Sequence, residues 1–169
     1  MGRHNNEAMT SPEQTKSHSE IVDLLKKHRV AMLTTMDGEK MVSRPMGMQA
    51  PEQDATLWFF CHRTSDVADQ VRADPRAVVA LSDDDYLSVT GTAEVVFDPE
   101  KNRELWGPFV EAFMQCEPDD PEASLIKVSP QTIAYWDSPN AAAKLFGMVK
   151  AMVTGSDPDV GESGVVNVD

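Results

Sequence analysis

Two polar segments of the sequence carry residue types that bind phosphate. Arg44 lies in a strand-like run, and the next strand-like run is followed by the loop His62-Arg63-Thr64-Ser65. Arginine presents a planar fork of N–H donors to phosphate oxygens. A serine at the start of a helix leaves exposed backbone amides and the positive end of the helix dipole beside an anion. The two segments predict half of a phosphate site.

The residues that follow this loop weaken the prediction. Asp66 falls in the first turn of the expected helix, where its carboxylate repels a nearby phosphate dianion, and Val67 stands where a second cation would be welcome. Arg63 is a candidate for the missing cation, but the sequence does not give its direction. Two alternatives stay open: Arg44 forms a salt bridge at the surface or in a dimer, and Ser65 only caps the helix.

Other site chemistries find less support. Cys61 and His62 are adjacent, so on a strand their side chains point to opposite faces and cannot form a nucleophile–base pair. The four histidines, at positions 4, 18, 28 and 62, lack the paired spacing of a zinc site. The acidic run 83–85 is typical of a solvated turn rather than a calcium site.

The composition indicates one globular domain and argues against several partners. The chain has 169 residues, 41% hydrophobic and 25% charged, with a net charge of -13. Nucleic acids and anionic membranes require clustered Lys and Arg, so we expect neither as a partner. With two cysteines, no apolar N-terminal segment and no run of membrane-spanning length, we expect a cytoplasmic protein without a disulfide framework.

The pattern of the chain predicts a mainly β fold with peripheral helices, folded over 18–155 between flexible tails at 1–17 and 156–169. Strands are predicted at 30–36, 41–48, 56–61, 77–81, 87–97, 125–128 and 132–137, and helices at 17–29, 65–73, 98–106, 109–114 and 138–155. The dipeptide Asp37-Gly38 favours a tight hairpin, and Gly91 a bend in the longest strand. The strand content implies a small Greek-key barrel.

Several short sequence motifs occur in an order that is typical of one protein family. They are Ser43-Arg44-Pro45-Met46, Leu57-Trp58-Phe59-Phe60, Val89-Thr90-Gly91-Thr92-Ala93-Glu94-Val95, Glu104-Leu105-Trp106-Gly107-Pro108, Asp119-Asp120-Pro121 and Ala134-Tyr135-Trp136-Asp137. Over 21–155 the chain resembles the general-stress-protein branch of the pyridoxamine-phosphate-oxidase-like, flavin-binding split-barrel family. The resemblance implies a homodimer of split barrels with FMN, or sometimes FAD, in grooves between the subunits.

The resemblance also implies which residues meet the flavin. By matching position Arg44 is the phosphate-binding cation and Ser65 the hydroxyl, whereas Cys61 stands in place of the usual Thr and Val67 in place of the usual Lys. Trp136 is the best aromatic candidate to approach the ring from the partner subunit. The full set of candidate flavin-binding residues is Arg44, Pro45, Met46, Phe60, Cys61, Arg63, Thr64, Ser65 and Trp136.

Two functions follow as hypotheses. The first is an FMN-dependent oxidoreductase with an unspecified small-molecule redox partner, in which the flavin carries the chemistry and no catalytic side chain is needed. The second is a non-catalytic split-barrel dimer of the stress-response type with weak or lost flavin binding. Pyridoxamine-phosphate oxidation is disfavoured, because the C-terminal segment does not resemble that enzyme's substrate-binding end.

Overall fold

The computed structural model describes residues 16–137 and 162–168, which form one antiparallel seven-stranded sheet with four short helices. In chain order the elements are α1 (His18–Leu25), β1 (Val30–Asp37), β2 (Lys40–Gly47), β3 (Leu57–His62), α2 (Asp66–Ala73), β4 (Arg76–Ser82), β5 (Tyr86–Val96), α3 (Pro99–Leu105), α4 (Pro108–Met114), β6 (Ala123–Asp137) and β7 (Glu162–Asn167).

The sheet curls into an open barrel. Its strand order is β2-β1-β4-β5-β6-β3, with β7 paired to β6 beside this path. Within the described residues the two edge strands meet at one isolated bridge, between Met48 and Phe59. The predicted mainly β, split-barrel fold is therefore confirmed. Inside the barrel, alternate residues of the strands pack with α1 and α2 in one apolar core that includes Ile21, Leu33 and Val79.

Local signals explain where the first elements begin. Ser17 and Glu20 form a reciprocal capping box at α1. The β1–β2 hairpin turns at Gly38, whose φ of 60° suits glycine. The Asp98 side chain accepts hydrogen bonds from the first amides of α3. These starts agree with the sequence prediction.

The long strand β5 is irregular where predicted. Its pairing with β6 shifts between Thr90 and Gly91, and a Cβ added at Gly91 would collide with the Ser129 carbonyl oxygen. The prediction of two separate strands at 125–128 and 132–137, with a corner at Ser129-Pro130 between them, was wrong. A single strand, β6, runs through it, because the bulge absorbs the irregularity without ending the pairing.

The C-terminal segment contains a strand that the sequence analysis assigned to a flexible tail. Residues 162–167 form β7, which pairs with β6 in regular register. Val166 and Val168 pack against the core, and Gly164 leaves room for the Tyr135 ring, since a Cβ there would lie 2.6 Å from the Tyr135 hydroxyl. The helix predicted from residue 138 and the N-terminal tail up to residue 15 lie outside the described residues.

Strand β3 is covered on both faces. Phe59 packs in the barrel core, while Trp58 and Phe60 pack beneath α4 with Val110 and Met114. The two phenylalanines of α4 stay outside: Phe109 and Phe113 are 72% and 55% exposed. None of the described helices is long and apolar enough to cross a membrane.

Candidate functional site

Arg44 lies on the inner side of the barrel wall. In β2 the alternate residues Val42, Arg44 and Met46 are partly buried, whereas Ser43 and Pro45 between them are exposed. Arg44 pairs with Leu33 of β1, which is fully buried. Because paired residues of antiparallel strands project to the same face, the guanidinium extends over the inner surface toward α2.

The guanidinium is held by two neutral side chains. Its Nη1 donates to Thr35 Oγ1 at 2.6 Å, and its Nη2 donates to Gln70 Oε1 at 2.7 Å. Thr35 Oγ1 in turn donates to Gln70 Oε1 at 2.7 Å. Burial lowers the pKa of Arg44, and the nearby Asp66 carboxylate opposes this lowering. We call Thr35, Arg44 and Gln70 the arginine triangle.

Ser65 serves the helix rather than an open site. Its Oγ accepts a hydrogen bond from the Ala68 amide at 3.4 Å and donates its proton to the His62 carbonyl at 2.7 Å. The cap interpretation of Ser65 is therefore confirmed. The single hydroxyl proton is directed to the backbone, so an anion would have to displace that contact.

The loop between β3 and α2 is turned toward the start of β6. Arg63 Nη2 lies 3.2 Å from Glu122 Oε1, and Thr64 Oγ1 donates to Glu122 Oε2 at 3.3 Å. The Arg63 amide also donates to the Glu122 carbonyl. Arg63 therefore does not take the place of the missing lysine in this arrangement.

The two departures from the family pattern are apolar contacts of the core. Cys61 is 2% exposed, and burial raises the pKa of its thiol to about 12, so the thiol is not a nucleophile at neutral pH. Val67 packs against the same core. His62 faces the opposite side of β3, where its ring lies 6.1 Å from that of Phe113. The two side chains thus point apart, as predicted.

The remaining candidates are spread over the molecule. Met46 packs against the barrel core, whereas Pro45 is exposed on the outer side of β2. Phe60 makes an edge-to-face contact with Trp106 at 5.3 Å, beneath α4. Trp136 is 50% exposed on β6, and the sheet order places β1, β4 and β5 between β6 and β2. Within one chain these side chains do not join Arg44.

Sequence reasoning missed Thr35 and Gln70, although both left a signal. The hairpin at Gly38 fixes the register in which Leu33 pairs with Arg44. Thr35 is the next residue of β1 after Leu33 that faces inward. Gln70 stands four residues after Asp66, and therefore on the same face of α2.

The acidic run 83–85 is only partly the solvated turn that the sequence predicts. Asp85 is 6% exposed, and its Oδ2 lies 3.4 Å from Lys27 Nζ.

The surface beside the arginine triangle is acidic. A shallow pocket of about 450 Å³ opens between the β1–β2 hairpin and α2. Its lining includes the carboxylates of Asp37, Asp66 and Asp69 together with Gln70. Three carboxylates disfavour a phosphate dianion in this pocket.

The donor set therefore does not fit a tightly held phosphate as it is arranged here. Arg44 lies beside α2, but Thr35 and Gln70 receive its hydrogen bonds. The Ser65 proton is used by the backbone. Within the described residues, no cluster of His, Cys, Asp and Glu is arranged to hold a metal ion either.

Part of the outer side of the sheet is exposed and uncharged, whereas Arg76, Glu94 and Lys127 lie on the same side nearer one end of β4, β5 and β6. One row of paired residues crosses six strands, and none of its members can ionise: Pro45, Met32, Ala80, Ser88, Ala134 and Val165. A second row beside it is also neutral: Ser43, Thr34, Val78, Thr90, Thr132 and Asn167. Tyr86 and Trp136 extend the surface, and both are about half exposed. We call these fourteen residues the neutral face.

The chain is similar to known proteins over most of its length. The solved structure of a general stress protein 26 from Jannaschia sp. CCS1 matches with a TM-score of 0.75 and 28% identity, covering 88% of this chain and 96% of that one. The general stress FMN/FAD binding protein from Xanthomonas citri matches with a TM-score of 0.63 and 25% identity, covering 73% and 90%. Protein bli-3 of Neurospora crassa is 24% identical over 157 residues, which are 84% of this chain and 75% of that protein.

The family model described as pyridoxamine 5'-phosphate oxidase like matches residues 16–159. This range includes Arg44, the loop 62–65 and every element from α1 to β6. The chain therefore belongs to the pyridoxamine 5'-phosphate oxidase-like family, on the branch that includes the general stress proteins.

Proposed function

We propose that this chain is a flavin-binding split-barrel protein of the general stress type, with a weak hold on the flavin phosphate. The observation that carries the proposal is the position of Arg44, whose guanidinium lies against the first two turns of α2. Three of its five N–H groups have no recorded protein partner in the described residues. The similarity to an FMN/FAD binding protein supports the same ligand.

We also propose that the chain takes part in redox chemistry through the bound flavin. A bound flavin supplies hydride and electron transfer by itself, so the protein needs only to bind it and limit solvent access. We infer no catalytic side chain: Cys61 is buried as a neutral thiol, and His62 faces away from it. The substrate is left as a small-molecule redox partner, and a cytoplasmic location is proposed from the sequence alone.

We further propose that two copies of the chain meet through the neutral face and form the flavin groove between them. In a chain with a net charge of -13, two copies repel one another wherever their carboxylates meet. An extended neutral surface that includes Met32, Trp136 and Val165 at 41–57% exposure is where two acidic copies can approach at least cost. Trp136 would then be offered to the partner's site.

Absorbance spectroscopy tests the ligand. The purified protein is expected to bind added FMN with a shift of the flavin bands, and Arg44→Ala is expected to weaken this binding by about threefold or less, because Thr35 and Gln70 already accept hydrogen bonds from the guanidinium. Arg76→Ala, which removes an exposed arginine of β4 that pairs with Asp74, is the matched control. Absence of any flavin uptake at modest salt would refute the proposal.

Sedimentation tests the assembly. A species of about twice the 18.6 kDa chain mass is expected at micromolar concentration. A single 18.6 kDa species over that range would contradict the dimer while leaving monomeric flavin binding to be judged by the titration.

A second function is favoured by the arginine triangle and the acidic pocket. Because both weaken anion binding without disturbing the fold, the chain could serve as a non-catalytic stress-type dimer that holds little or no flavin. Steady oxidation of reduced nicotinamide cofactor separates the two functions. If oxidation depends on added FMN, the oxidoreductase is supported and the non-catalytic function is rejected.

A further inference from the structure

We propose that Gln70 is a specificity-determining residue that locks Arg44, so that the groove gains little from a phosphate on its ligand and takes flavins with and without phosphate almost equally. This inference rests on the proposed flavin binding. It attributes the weak binding of phosphate to Gln70 as well as to Val67, which are both residues of α2.

The geometry of the acceptor supports a lock. Gln70 Oε1 receives two hydrogen bonds of 2.7 Å, one from Thr35 Oγ1 and one from Arg44 Nη2. A carbonyl oxygen has two lone pairs, so this acceptor is fully used. Thr35 is 1% exposed and is itself fixed by the β1–β2 pairing. The guanidinium is therefore held from a strand and from a helix at once.

The carboxylates near Arg44 also disfavour phosphate binding there. Asp66 stands four residues before Gln70, on the same side of α2, and its carboxylate stabilises the charged form of Arg44. Asp66 and Asp69 also line the adjacent pocket. A phosphate dianion that takes the Arg44 donor held by Gln70 must displace the Gln70 oxygen, and at any N–H group of the guanidinium it approaches these carboxylates. An uncharged ring ligand does neither.

The experiment compares the dissociation constants of riboflavin and FMN for three proteins. In the wild type we expect the two constants to agree within about threefold. In Gln70→Ala, which frees Arg44 and opens space beside it, we expect FMN to bind about tenfold more tightly and riboflavin to be unchanged, as for one released charge-assisted hydrogen bond. Gln53→Ala, an exposed glutamine on a loop, is the matched control and should match the wild type.

A flavin-free measurement checks the lock itself. Because Gln70→Ala removes the acceptor of the buried Thr35 hydroxyl, folding of each variant is followed by urea denaturation, and Gln70→Met provides a variant that keeps the side-chain length. In a double-mutant cycle of Arg44→Met with Gln70→Met, the shifts in the urea midpoint should be clearly non-additive. Additive shifts would overturn the lock whether or not flavin binds.

The outcomes separate the two proposals. If both flavins bind and Gln70→Ala leaves the FMN-to-riboflavin ratio of dissociation constants unchanged, the role of Gln70 is wrong and flavin binding stands. If neither flavin binds to any variant, flavin binding is wrong, and the specificity role is overturned with it. A selective gain for FMN in Gln70→Ala supports both.

Discussion

The inner and outer faces of the sheet differ in what covers them. Inward residues such as Leu33, Val79 and Ile133 are fully buried by this chain's own helices and strands. Their outward neighbours Met32 and Ala80 are exposed, yet they belong to a surface without charge. A single chain thus covers its inner face and leaves part of its outer face to a partner with an uncharged surface, which we propose is a second copy.

The arginine triangle is the exception on the inner side. It introduces a cation among apolar neighbours and satisfies it with Thr35 and Gln70 from the same chain. Partly buried charges are retained where hydrogen bonds compensate their desolvation. The same compensation is what an incoming phosphate would have to replace.

The largest effect expected from this comparison is on stability. Phe59→Ala empties a fully buried inner position and is expected to reduce the free energy of unfolding by about 3–5 kcal/mol. Trp136→Ala removes a half-exposed outer side chain and is expected to change it by less than about 1 kcal/mol in the monomer. Urea denaturation at the lowest practical protein concentration measures both, and equal losses would contradict the difference between the faces.

The next effect is on association. Ser88→Asp places a charge in the central row of the neutral face, and we expect it to weaken the dimer about 100-fold, because like charges at an interface cost several kcal/mol. Gln53→Asp adds the same charge on an exposed loop and serves as the control. Sedimentation velocity over a concentration series gives both dissociation constants. Equal behaviour of the two variants would place the interface elsewhere.

The smallest effect is a pH dependence that comes from the inner face. Burial raises the pKa of Cys61 to about 12, whereas a thiol in the unfolded chain ionises near pH 8.5. The folded state therefore keeps its proton as the unfolded state loses it, and stability falls as pH rises from about 8.5 to 12. At pH 10 the loss is about 2 kcal/mol.

Urea denaturation at pH 7 and pH 10 measures this loss. Cys61→Ala lowers stability at both values but should remove the part of the pH dependence that comes from this thiol. Cys116→Ser, at a partly exposed position, should keep it. A pH dependence identical in the wild type and Cys61→Ala would show that another group is responsible.

Much of the fold was predictable because its signals are local. The Gly38 turn, the Ser65 cap and the Asp98 cap each depend on a few neighbouring residues. The seventh strand was not predictable in this way. Residues 162–167 include only two valines among polar neighbours, and they become a strand because β6 offers unpaired backbone groups and Tyr135 accommodates Gly164.

The same distinction between local signals and contacts of distant residues applies to the candidate site. The sequence by itself determined that Ser65 caps the start of α2, that the uncharged Val67 stands in its first turn and that the chain has the family's order of elements. Only the tertiary structure decided how the donors are used: Arg44 by Thr35 and Gln70, Arg63 by Glu122. These partners are distant in sequence or on other elements, and hydrogen bonding depends on direction and distance rather than on residue type alone.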